Sequence, residues 1–97
     1  MAKVVLASAL ARWLPDAATR PAGEVAVDVE GTNLREVLGG VFERYPALRG
    51  YVVDEQGCVR HHVAVFVDGD SIRDKRNLSQ AVGARSEVYV MQALSGG

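Results

Sequence analysis

Cysteine is nearly missing from this chain: Cys58 stands alone among 97 residues. One thiol excludes an internal disulfide and any zinc site built from several cysteines. Long apolar runs are missing as well, and none approaches the roughly 20 residues a membrane-spanning helix needs. The segment "VVLASALARWL" after Lys3 loosely resembles a secretory leader. Its charged region is a single lysine, however, it alternates in side-chain size, and it carries Arg12, so it reads as a strand. An excess of one charge sign is also lacking. Eleven Lys and Arg face twelve Asp and Glu, for a net charge of −1, so no positive field invites nucleic acid. These absences lead us to expect a cytoplasmic protein with neither a nucleic-acid nor a membrane partner. What remains is ordinary for a globular chain: 48% hydrophobic and 24% charged residues, well away from a disordered profile. One domain is expected at this length, with a single modest core.

The scarce prolines punctuate the pattern. Val4 to Leu10 is apolar and reads as a first strand. "WLPDAATRPAG" follows, and Pro15 and Pro21 keep it out of any sheet interior. "EVAVDVE" alternates, with Val25, Val27 and Val29 on one side and Glu24, Asp28 and Glu30 on the other, as in a half-buried strand. The two strands are expected to form a hairpin. The period then changes. Leu34, Val37, Leu38, Val41, Phe42 and Tyr45 form one helical stripe, with Thr32 as N-cap and Pro46 as terminator. Gly39-Gly40 within it costs about 1 kcal/mol per glycine relative to alanine. A close approach to the sheet accounts for one of the two at most.

The rest is read more coarsely. "LRGYVVDEQGCVR" is irregular, "HHVAVFV" is a strand turned by "DGD", and a short strand lies near Ile72. Leu78 and Val82 share a short helical turn, and "EVYVMQ" is the last strand. Strand, strand, helix, strands is an α+β order. It fits a β-grasp, with a mixed sheet of four to five strands and one main helix on one face. We expect residues 1–92 to form that domain and 93–97 a flexible tail.

The runs "VAVFVDGDSIR" and "EVYVMQALSGG", and the helix "LREVLGGVFERYPALR", together resemble the MoaD/ThiS sulfur-carrier family over nearly the whole chain. That family is ubiquitin-like in fold and ends in Gly-Gly. Two features depart from its common pattern: "VGARSEV" precedes the last strand, and Gln92-Ala93 stands where proline is frequent.

Other candidate chemistry is sparse. No phosphate-binding glycine loop is present. His61 and His62, adjacent on a strand, are expected to point to opposite faces and hold no metal together. Cys58 reads as a bland loop residue. Arg73, Lys75, Arg76 and Arg85 read as a solvated basic stretch. The terminus remains. Taken alone, Gly96-Gly97 is as compatible with a frayed end as with a functional one. The resemblance implies that a ubiquitin-activating-enzyme-like adenylyltransferase of the MoeB/ThiF type uses ATP to adenylate the Gly97 carboxylate. Sulfur then converts it to a thiocarboxylate, which a downstream sulfur-accepting synthase consumes in molybdopterin, thiazole or cysteine-type biosynthesis. The chain itself would be a cosubstrate rather than an enzyme and would bind no cofactor or metal. Glycine at 96 and 97 suits a narrow slot, and Ala93, Leu94, Ser95 and the glycines reach at most roughly 17 Å when extended. Strand parity turns Phe66, Tyr89 and Met91 away from the helix, as a partner-binding patch beside the tail. A ubiquitin-like modifier joined through Gly97 and a plain interaction module remain as alternatives.

Overall fold

In a computed structural model, residues 1–11, 14, 23–72 and 74–92 are described. The chain begins with strand β1 (Ala2–Leu6) and a single helical turn, α1 (Ser8–Ala11). The strand therefore ends four residues earlier than the apolar run suggested. The Ala7 carbonyl accepts from the Leu10 and Ala11 amides at 2.9 Å each, closing a turn in an alanine-rich stretch with high helix propensity. An apolar run this short carries no period that separates strand from helix. Strand β2 (Val25–Val29) returns antiparallel to β1, with Val4 opposite Val27, giving the expected pairing.

Helix α2 (Leu34–Arg44) buries Leu34, Val37, Leu38 and Val41. Phe42 is only half-buried against the core rather than within it. The N-cap is Asn33, one residue later than the expected Thr32. The Glu36 amide donates to Asn33 Oδ1 at 2.9 Å, while the Thr32 amide and hydroxyl donate to Glu36 Oε1 at 2.8 and 2.9 Å. Reciprocal bonding of this kind satisfies several donors at one helix start. Pro46 ends α2 as expected, but it also opens a second helix, α3 (Pro46–Val52), in the stretch read as irregular. Proline fits a first helical turn, where its missing N–H is no loss, and Leu48 and Val52 are buried. The two glycines separate as expected. A Cβ on Gly40 would stand 2.3 Å from Val29 Cγ1, whereas one on Gly39 would meet nothing within 4 Å.

Strand β3 (Val63–Val67) begins after a turn that contains His61 and His62, so the histidines lie outside the strand. Asp68 and Gly69, with φ of 51° and 89°, form the two-residue turn to β4 (Asp70–Ser71). Asp-Gly at such a turn is the strongest short-range hairpin signal. The following stretch is not helical. Leu78 and Val82 are buried in extended chain that crosses the start of α2. The Leu34 and Arg35 amides donate to the Gln80 and Leu78 carbonyls at 2.9 and 2.8 Å, so two orphan donors of the helix start are met by this loop.

Strand β5 (Glu87–Gln92) completes a mixed sheet ordered β2-β1-β5-β3-β4. It runs parallel to β1 and antiparallel to β3. This is a β-grasp. Val4, Leu6, Val63, Val65, Val67, Val88 and Val90 meet the apolar faces of α2 and α3 in one core. Among the described residues no polar or charged side chain is buried, and no helix is long and apolar enough to cross a membrane.

Candidate docking face and tail root

The face of the sheet away from the helices carries a row that crosses all five strands. Register aligns Ala26, Val5, Tyr89, Phe66 and Ser71. Beside it, Met91 pairs with Ala64. Phe66, Tyr89 and Met91 are each half-buried, and neither they nor Val5 belong to the helix-side core. Parity thus puts the three side chains on the outer face, next to the end of β5, though less openly than a fully exposed patch would be.

A charged residue reaches this row from just outside it. Glu24, just before β2, accepts a hydrogen bond from the Tyr89 hydroxyl through one carboxylate oxygen. That bond raises the Tyr89 pKa above the usual tyrosine value, with partial desolvation and the glutamate's charge adding to it. The phenol therefore stays protonated and remains a donor. In sequence, alternation marked Glu24 as outward-facing, but only the β2-β1-β5 register shows that it meets Tyr89.

The tail root has its own support. On the helix side, the Tyr51 hydroxyl of α3 donates to Gln92 Oε1 at 3.1 Å. The His62 ring stands edge-on to Tyr51, with centroids 5.7 Å apart, and His61 is edge-on to His62 at 5.9 Å. Tyr51 escaped notice because its segment showed no helical period. Ala93, Leu94, Ser95, Gly96 and Gly97 lie outside the described residues, as do Trp13 and Arg73.

The remaining candidates serve local structure. The Cys58 amide donates to Asp54 Oδ1 at 3.0 Å, closing the 54–58 turn. Lys75 Nζ donates to the Arg60 and His61 carbonyls at 3.2 and 3.0 Å, so one cation of the basic stretch holds the turn before β3. A groove of about 460 Å³ between α2 and the 53–57 turn is lined by Arg35, Phe42, Glu43, Arg49 and Glu55, and it gathers no nucleophile with a base. Among the described residues no three His, Cys, Asp or Glu side chains cluster as a metal site.

Comparison with known proteins agrees with this geometry. A sequence model of the ThiS family matches residues 15–97. Among solved structures, small archaeal modifier protein 1 of Haloferax volcanii is similar at 25% identity and a TM-score of 0.72, covering 99% of this chain and 98% of its own. A chain of the BexX/CysO complex of Amycolatopsis orientalis superposes with a TM-score of 0.80 at 20% identity, with both chains covered in full. CysO of Mycobacterium tuberculosis gives 0.70 at 18% identity over 94% of this chain and 99% of its own. The likeness therefore extends over the whole fold rather than one motif. No curated protein sequence matches the chain.

Proposed function

The chain belongs to the ThiS family, and on that premise we propose that it is a ubiquitin-like sulfur carrier acting through the carboxyl group of Gly97. The observation that carries this reading is a family match that runs through Gly96 and Gly97, at the end of a β-grasp sheet. A free α-carboxyl has a pKa of about 3.3–3.7 and is ionised at neutral pH. In that form its carbon is a poor electrophile. Attack of a Gly97 carboxylate oxygen on the α-phosphorus of ATP, with pyrophosphate leaving, gives an acyl-adenylate. A sulfur nucleophile at the sulfide level then displaces AMP and leaves a thiocarboxylate. The chain supplies the reacting carbon and a docking surface. The catalysis and the ATP site belong to an adenylyltransferase of the MoeB/ThiF type, and the carrier binds no cofactor of its own. This chemistry is assigned to the cytoplasm, and the product passes to a sulfur-accepting synthase.

In this reading residues 93–97 are a flexible tail on a 1–92 domain. Ala93, Leu94 and Ser95 line the partner's channel, and Phe66, Tyr89 and Met91 seat the domain at its mouth. Support for the docking face comes from three half-buried apolar side chains outside the core, beside the root of the tail. The test is intact mass. Incubation with the adenylyltransferase, ATP and sulfide should exchange one oxygen of the protein for sulfur, and a variant lacking Gly97 should stay unchanged. Normal loading of that deletion would overturn the proposal.

A second reading, conjugation of Gly97 to a lysine of a target protein, draws on the likeness to small archaeal modifier protein 1. The first chemical step is the same. Mass analysis of the protein from its own cells separates the two, as a thiocarboxylate or as an isopeptide adduct.

A further inference from the structure

We infer that the partner enzyme meets the outer sheet face with a basic side chain, an arginine by its fit, seated on Glu24. The inference rests on the docking role given above to Phe66, Tyr89 and Met91. It begins from a mismatch on that face. Ala26, Val5, Tyr89 and Phe66 of the central row are apolar or aromatic, yet the Glu24 carboxylate is tethered to Tyr89 among them. In the free protein Glu24 is exposed and hydrated. A partner that covers Phe66, Tyr89 and Met91 strips that water away. A desolvated carboxylate held by one neutral phenol is under-satisfied, and leaving it so is strongly unfavourable.

The chain supplies no cation for the task among its described residues. Lys3 is on the same face, but in register it stands between Asp28 on β2 and Glu87 on β5. A partner seated on this face would bring the compensating charge with it. Tyr89 takes one oxygen of the carboxylate. A guanidinium delivers planar, forked donors to a carboxylate and can also lie over a tyrosine ring, which an ammonium does less well. Because its hydroxyl remains a donor, Tyr89 holds the carboxylate in place before the partner arrives. Glu24 then sets register and partner choice, while the apolar row supplies contact area.

Binding of the full chain to the MoeB/ThiF-type adenylyltransferase from the same organism, measured by calorimetry at low and high salt, tests this. Glu24→Gln should weaken binding at least about tenfold at low salt and flatten its salt dependence, with thermal unfolding unchanged. Glu24→Lys should weaken it further, and Tyr89→Phe should cause a smaller loss. A structural disturbance would not flatten the salt slope. If Glu24→Gln and Glu24→Lys bind as the parent does while Phe66→Asp loses binding, the docking face stands and the ion pair is refuted. If Phe66→Asp and Met91→Lys also bind as the parent does, the docking role itself fails and this inference fails with it.

Discussion

Gly39 and Gly40 are neighbours in the chain with opposite surroundings. Both sit inside α2, where glycine costs about 1 kcal/mol relative to alanine. Gly40 faces Val29 so closely that a Cβ would fall 2.3 Å from its Cγ1, while Gly39 faces open space. The two alanine variants should therefore move in opposite directions. Gly39→Ala should stabilise the domain by about 0.5–1 kcal/mol. Gly40→Ala should destabilise it by about 1–3 kcal/mol, because a stiff β-branched side chain must give way. Urea denaturation of each variant measures the difference, and equal shifts would refute the close-approach explanation. The helical pattern shows the pair as a conflict, but only the distance between α2 and β2 distinguishes its members. Glu24 is a similar case: its outward direction is legible from alternation, its hydrogen bond to Tyr89 is not.

Elements with a sustained period were legible, and those defined by tertiary contacts were not. The stripe of α2 and the alternation of β2, β3 and β5 each predict the observed element, because one face repeats often enough to show. The short helices α1 and α3 lack that length. The 77–82 stretch buries Leu78 and Val82 without any helical hydrogen bonding, since its role is to lie across the start of α2. That start is the most densely bonded junction described here, and Asn33→Ala should cost about 0.5–2 kcal/mol. Glu36 makes the junction sensitive to pH. Hydrogen bonds from the Thr32 amide, first, and the Thr32 hydroxyl hold its pKa below the usual glutamate value. Its contribution is present above the unfolded-state pKa and is lost as pH falls through the lower folded value. Stability measured on the acid side of neutrality should therefore fall less steeply in Glu36→Gln than in the parent. Parallel acid limbs would show that the carboxylate contributes nothing there.

At the scale of the molecule, the proposed function uses the tail and the outer sheet face rather than the helix-side core, so variants should sort cleanly. Phe66→Asp and Met91→Lys should leave the melting temperature nearly unchanged and weaken binding to the adenylyltransferase. Deletion of Gly97 should abolish sulfur loading without altering stability. Gly96→Val should fold and dock, yet be activated slowly, because a β-branched side chain widens the tail and restricts its φ. Loading of Gly96→Val at the parent's rate would overturn the narrow-slot explanation. The overall plan was readable because the terminal Gly-Gly, the last strand and the helix stripe occur in a recognisable order. The tail root was less so. The Tyr51 to Gln92 bond joins residues 41 positions apart in sequence, and no local pattern encodes a pair that distant.

The order of the strands has one more consequence, and it is mechanical. The tail leaves from β5, the middle strand of the sheet, which is bonded to β1 on one side and β3 on the other. Because β1 and β5 run parallel from Lys3↔Glu87 to Leu6↔Val90, tension between the two ends of the chain loads their rungs side by side. A zipper opens one rung at a time, whereas this clamp has to shear as a unit. Forced unfolding is governed by the unfolding barrier rather than by equilibrium stability. Pulled end to end in an optical trap, the domain should resist far higher force than when pulled across the β3–β4 hairpin. In the proposed carrier role, the fold should survive its tail being drawn repeatedly into an enzyme's channel.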